Sequence, residues 1–254
     1  MSGDREPGDQ NAERTAQRER SRIARDLTSA VAGLPDAAIP DALCRACVTL
    51  LPEVSGLSAS LAGPATRTGI VLFASDEVAS ELADTQFTLG EGPCTEALRL
   101  RAPVLAPDLT RGPDARRWPL FTVKAAKIGV EAVFSVPLTA AAGQLGTLDL
   151  YRETAGAMSQ AHLRTALLVA DALTLAISAL DHASADSSEV VTWLQGAEAD
   201  REEVHQATGM IMMQLGVNPQ EALLRLRARA FAQDQTSTGI ARAVIDRTTD
   251  LRHE

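Results

Sequence analysis

The chain has 254 residues, of which 45% are apolar and 22% charged, with a formal net charge of -9. This allows one large core or two modest ones, and the acidic balance excludes a protein that coats nucleic acid by diffuse attraction, though a local basic face remains open to it. No run of about 18 uncharged apolar residues occurs. The first thirty residues hold no signal-peptide core, so the expected location is the cytoplasm, with no membrane partner.

The basic residues are unevenly chosen: of 24, all but Lys124 and Lys127 are arginine, the side chain suited to bidentate contacts with carboxylate and phosphate. Three cysteines form no disulfide framework. Cys44 and Cys47 read as small core residues one helical turn apart, the four histidines are scattered, and no metal site is expected.

In chain order, residues 1–22 are polar and are expected as a disordered tail or a solvated helix. Order begins at Ile23. Leu27, Val31 and Leu34, then Leu43, Cys47, Leu50 and Leu51, make apolar stripes at helical spacing, broken by Pro35 and Pro40. From Gly56 the period becomes two: "LSASLAG" and "TGIVLFAS" read as strands around a turn with Gly63 and Pro64. Asp76 then caps a helix. A strand "APVLAPDL", a helix over 119–128, and two paired strands "VEAVFSVPL" and "GQLGTLDLYR", joined by a loop at 140–143, complete the unit.

In the last strand, alternation sends Thr147, Asp149 and Tyr151 to one side and Leu148 and Leu150 to the other. Asp149 runs against strand propensity. It either orients a ligand's polar group or bonds neighbouring backbone. The helix from Ser159 carries Leu163, Leu167, Ala170 and Ile177 on one face and Val169, Leu173, Ala176 and Leu180 on another. One face covers the strands; the other calls for a partner, most simply a second copy of the chain, unless both belong to one wide stripe. A homodimer held through Val169 and Leu173 is therefore expected.

A linker over 184–188 precedes residues 189–254, which read as a three-helix bundle. The first helix carries Trp193, Ala197, Val204, Ile211 and Leu215. Asn218, Pro219 and Glu221 start the second, with Glu221 reaching back to the cap, and Ser237 or Thr238 starts the third. Gly209 stands inside the first helix, where glycine costs about 1 kcal/mol against alanine, and is expected to admit a neighbouring helix closely. Seven arginines stand against ten acids here, so RNA binding would need a restricted cationic face.

The run "REEVHQATGMIMMQLGVNPQEALLRLRARAFAQDQTSTGIARAVI" resembles the ANTAR domain, the output module of transcription antitermination regulators. Arg201, Val204, Gln206, Ala207, Gly209, Met212, Ala222, Leu226, Arg227, Ile240, Ala241 and Val244 fall in the family's order, while Thr208 stands where many relatives carry lysine. The pieces "QFTLGEGPCTEAL", "PVLAPDL", "RWP", "GVEAVFSVPL" and "LGTLDLYR" are similar to the GAF domain, which in many members holds a small molecule over one face of an antiparallel sheet. The resemblance implies an α+β chain, with a GAF-like sensor over 23–183 and an ANTAR bundle over 189–254. It implies binding to structured nascent RNA through Arg201, Gln206 and Arg227, with Arg225 and Arg229 adding cations.

"GEGPC" fits no phosphate loop, since no G-x-x-x-x-G-K-[ST] is present. Cys94 stands near a helix start, where a thiol pKa can fall, which leaves a nucleophile, a redox or ligand contact, or a structural turn. Trp118 is a pocket wall or a cover over the core. The candidate ligand-binding residues are thus Cys94, Trp118, Asp149 and Tyr151, for a ligand the sequence does not name; no catalytic residues are expected. The expected function is a sensory regulator that binds RNA to prevent termination. The alternatives are a ligand or redox sensor acting through protein contacts, and a Cys94-dependent enzyme.

Overall fold

The computed structural model describes residues 7–62, 69–140, 143–186 and 192–251. Five strands, β1 (Gly56–Ala62), β2 (Gly69–Ala74), β3 (Val104–Ala106), β4 (Ala132–Ala140) and β5 (Gly143–Arg152), form one antiparallel sheet in the order β2-β1-β5-β4-β3. The pairings of β5 with its two neighbours set Asp149 between Ser58 of β1 and Ser135 of β4.

Helices cover both faces. On one side lie α1 (Pro7–Val31), α2 (Ile39–Leu50) and α7 (Gln160–Asp186), and Leu148, Leu150, Phe134 and Leu138 point into them. On the other lie α3 (Glu77–Leu89), α4 (Pro93–Leu100) and α6 (Pro119–Lys127), packed with Val133 and Tyr151 in one core, and the short α5 (Gly112–Arg117), which contacts α6 and buries no residue. The side-chain alternation of the strands thus divides the domain into two cores.

Local chemistry explains the helix starts. Asp76 accepts a hydrogen bond from the Ala79 N–H at 2.8 Å and opens α3, as its position before a helical run predicts. The start of α6 is held from a distance, because Glu91 Oε1 accepts the N–H groups of Leu120 and Phe121 at 2.7 and 2.9 Å. The remaining helices, α8 (Thr192–Leu215), α9 (Pro219–Ala232) and α10 (Ser237–Ile245), make a bundle around Val204, Ala207, Ile211, Leu226, Ala230, Ile240 and Val244. Asn218 caps α9 by accepting the Glu221 N–H, with Pro219 in the first turn.

Several expectations are corrected. Of the two forms expected for 1–22, a disordered tail or a solvated helix, the described part, residues 7–22, takes the helical one, so that order begins before Ile23, as the first turns of α1. Ile23 and Leu27 of α1 are fully buried, and Arg20 and Glu19 form ion pairs with Asp171 and Arg164 of α7. Hence Val169 and Leu173, offered as a dimer face, are fully buried within the chain itself. The outward stripe of α7 is instead Arg164, Leu167, Asp171 and Leu175. Residues 184–186 of the expected linker are the last turn of α7, and 187–188 lie outside the described residues. Thr236 caps α10 rather than Ser237 or Thr238. Glu221 pairs with Arg225 at 2.9 Å instead of reaching back to its cap. Gly209 is exposed, and among the described residues nothing stands within 4 Å of where its side chain would begin, so the expected close approach of a neighbouring helix is not seen there. The expectations for Leu180, Trp193 and Ala197 fall on side chains outside the described residues.

By length and composition one described helix segment, Gln160–Ala179 of α7, is long and apolar enough to cross a membrane. In this fold it covers the sheet.

Candidate functional site

Beneath α3 and α4, the sheet carries a buried polar cluster in place of apolar residues. Asp149 is 3% exposed, and its cross-strand neighbours Ser58 and Ser135 are buried with it. The Thr147 hydroxyl donates to Asp149 Oδ2 at 3.0 Å. Asp149 Oδ1 and Ser135 Oγ complete no hydrogen bond, although the Ser135 hydroxyl lies close enough to favour the ionised carboxylate electrostatically. Burial is the larger effect and pushes the Asp149 carboxyl up to about 6, with the two hydroxyls opposing it.

Gln86 joins the cluster from α3. It follows Ala79, Leu82 and Ala83 on that helix's inner face, and it is fully buried. Its Oε1 accepts the Cys94 N–H at 2.8 Å and thereby anchors the first turn of α4, while its Nε2 has no partner. Gly92 is required at the joint: its φ is +134, and a Cβ there would press on the Gln86 side chain. Cys94 is only half-buried as a residue, but its thiol is enclosed. Burial and the Asp149 charge push it well above the ordinary thiol value. That opposes the lowered pKa expected at a helix start, because desolvation outweighs the dipole.

Cys94 and Asp149 therefore come together. Trp118 and Tyr151 do not enter the polar cluster. Trp118 is 4% exposed among Phe121, Leu109 and Val130, with Arg117 stacked on its ring at 4.7 Å. Tyr151 donates from its hydroxyl to Asp76. Gln86 and Ser135 were missed. Gln86 stands at the fourth place of an i, i+3, i+4, i+7 stripe, a signal that could have exposed it.

Unsatisfied buried donors and acceptors are costly, and three such atoms in one cluster (Gln86 Nε2, Ser135 Oγ and Asp149 Oδ1) suit a small polar molecule better than an apolar one. Among the described residues, no group of three or more His, Cys, Asp or Glu is placed to hold a metal ion.

The candidate RNA residues are dispersed. The Arg201 side chain lies outside the described residues. Gln206 is exposed on α8 beside an open groove of about 570 Å³ that includes Gly209, Met213 and Arg247. Arg225 is exposed and paired with Glu221; Arg229 is half-buried. Arg227 turns the other way and lies over the Phe87 ring of α3, 5.5 Å from its centre.

Two family models match the chain: the GAF domain over residues 24–178 and the ANTAR domain over residues 193–245. No curated protein matches it. Among solved structures, the GAF domain of an Acinetobacter phosphoenolpyruvate-protein phosphotransferase superposes with a TM-score of 0.50 at 13% identity, over 68% of this chain and 98% of that one. The corresponding GAF domain from Coxiella burnetii gives 0.48 at 15%, over 68% and 99%. The type II free methionine-R-sulfoxide reductase of Thermoplasma acidophilum gives 0.40 at 15%, over 63% and 92%. At such identities the likeness speaks of the fold alone, and the two lower scores carry no argument.

Proposed function

The chain belongs to the GAF domain family and carries an ANTAR domain behind it, and from that premise we propose that it is a cytoplasmic sensory regulator whose bundle binds a structured element of nascent RNA and so prevents termination. The observation that carries this reading is the bundle itself, in the ANTAR register, with Gln206 exposed beside an open groove. In a bundle where acids outnumber arginines, hairpin loops are the fitting target: unpaired bases can be read by uncharged groups, whereas duplex phosphates call for many cations.

The signal is proposed to be a small polar molecule at Gln86, Cys94, Ser135 and Asp149, where three buried polar atoms lack partners. The protein is proposed not to be an enzyme. A thiol pushed well above its usual pKa is a poor nucleophile, which weighs against chemistry at Cys94. The homodimer is proposed to use the outward stripe of α7, where Leu167 and Leu175 are exposed.

The test is readthrough of a terminator preceded by a loop-bearing hairpin, together with hairpin affinity, for the parent and for Gln206→Ala. Readthrough that depends on the protein and on Gln206 supports the reading. A protein that neither binds hairpins nor alters readthrough, in any state, refutes it.

A further inference from the structure

The ANTAR bundle is docked on the GAF domain, and the docking uses a residue on which RNA binding would depend. Phe87 of α3 packs against the bundle core, and Arg227 of α9 lies over its ring. Gly90, which ends α3 with a φ of +65, leaves the space that Arg227 occupies: a Cβ there would come within 3.0 Å of Nη1. Next to it, Thr88 Oγ1 accepts the N–H of Ser237 at 3.2 Å, and the Ser237 hydroxyl approaches the same oxygen at 3.3 Å; both residues are buried. Lys124 of α6 pairs with Asp234 at the end of α9 and sits over the Phe231 ring.

Helix α3 carries Glu77, Glu81 and Asp84 and no basic residue. These acids line a cleft of about 380 Å³ whose far wall is Phe231, Asp234, Gln235 and Thr236. Helix α3 itself packs against α9, the helix that bears Arg225, Arg227 and Arg229. The contact is also imperfect. Arg227 is half-buried with Nε and Nη2 unpartnered, and a cation so placed gains when it reaches a phosphate or a base edge.

We propose that α3 and RNA compete for the Arg227 side of α9, so that this closed arrangement withholds Arg227 and weakens RNA binding, and release of the bundle from α3 is the regulated step. The proposal rests on the RNA-binding reading above. The last turn of α3 connects it to the sensor. Gln86 faces the polar cluster and holds the start of α4, while its neighbours Phe87 and Thr88 hold the bundle. A ligand that takes up Gln86 Nε2 and Asp149 Oδ1 acts on the same turn that grips Arg227. It shifts the balance to the extent that it prefers the open form.

The experiment uses the full chain and a pool of RNA hairpins with randomised loops. Phe87→Ala and Lys124→Glu each weaken the docking from the GAF side without touching the RNA module. Thr88→Cys with Ser237→Cys places two thiols where the hydroxyls meet, so that oxidation locks the contact and reduction frees it. Expected is affinity raised at least about fivefold in both opening variants, the low end of ordinary coupling between sites, and lowered by at least as much in the oxidised pair, with recovery on reduction. Equal affinity across parent, opened and locked forms overturns the competition and leaves RNA binding standing. No binding by any form overturns both.

Discussion

Tyr151 on β5 donates its hydroxyl hydrogen bond to Oδ1 of Asp76, 3.1 Å away and 75 positions earlier in the chain. The same oxygen accepts the Ala79 N–H that starts α3, and Oδ2 accepts the Ser75 hydroxyl at 2.6 Å. One carboxylate therefore joins the sheet to the helix that grips both the polar cluster and the bundle. Asp76→Ala removes a helix cap and leaves a largely buried phenol unpaired, for an expected loss of roughly 2 to 4 kcal/mol in denaturant unfolding. Tyr151→Phe keeps the cap and is expected to cost about 1 kcal/mol; equal losses in the two would refute the shared role.

Asp149 makes stability depend on pH in an unusual direction for a carboxylate. Its folded pKa, about 6, lies above the ordinary 3.8, so between those values the folded form holds more protons than the unfolded one. Stability then falls as pH rises from about 4 to about 6 and is level above, a span of roughly 3 kcal/mol. Asp149→Asn is expected to remove that slope and to be the more stable protein at pH 7. A parent that gains stability across this window, or an Asn variant with the same slope, would count against it.

Val169 and Leu173 support the domain and not an association surface. Changing either to glutamate buries an unpaired charge in a full core, and the expected result is loss of the cooperative melt. Leu175→Glu, on the outward stripe, leaves the fold intact. Circular dichroism beside light scattering separates these outcomes; folded Val169→Glu monomers from a dimeric parent would restore the dimer reading.

Gly209 has open space around it inside a helix, so Gly209→Ala is expected to stabilise α8 by about 0.5 to 1 kcal/mol and to raise the melting temperature. If RNA lies in the groove beside Gln206, the same change weakens hairpin binding. A destabilised Gly209→Ala would show that something in the chain needs the glycine.

Much of the fold was legible because its signals are local. The cap at Asp76, the alternation of β4 and β5, and the Asn218-Pro219 start of α9 all act within a few residues. What escaped depends on partners far along the chain. The polar face of residues 7–22 hides that Ile23 and Leu27 continue one helix onto α7. Gln86 and Ser135 look ordinary until the register sets Ser135 opposite Asp149. Arg227 sits on a motif position that says nothing of α3, because the contact joins two domains and no local periodicity records it.

The strand order has a consequence for synthesis. Strand β1, one in from the edge of the sheet, finds one neighbour at once in β2, but its other side waits for β5, with Gly56 paired to Tyr151 roughly ninety-five positions later. At ordinary ribosomal speed that delay is about 5 to 20 s, during which β1 has an open edge and the apolar sides of α1 and α2 lack the helix that buries them. The final bundle, made of sequence-local helices, closes quickly once translated. A ribosome that stalls before Arg152 would therefore display an unfinished sheet to chaperones and to other nascent chains.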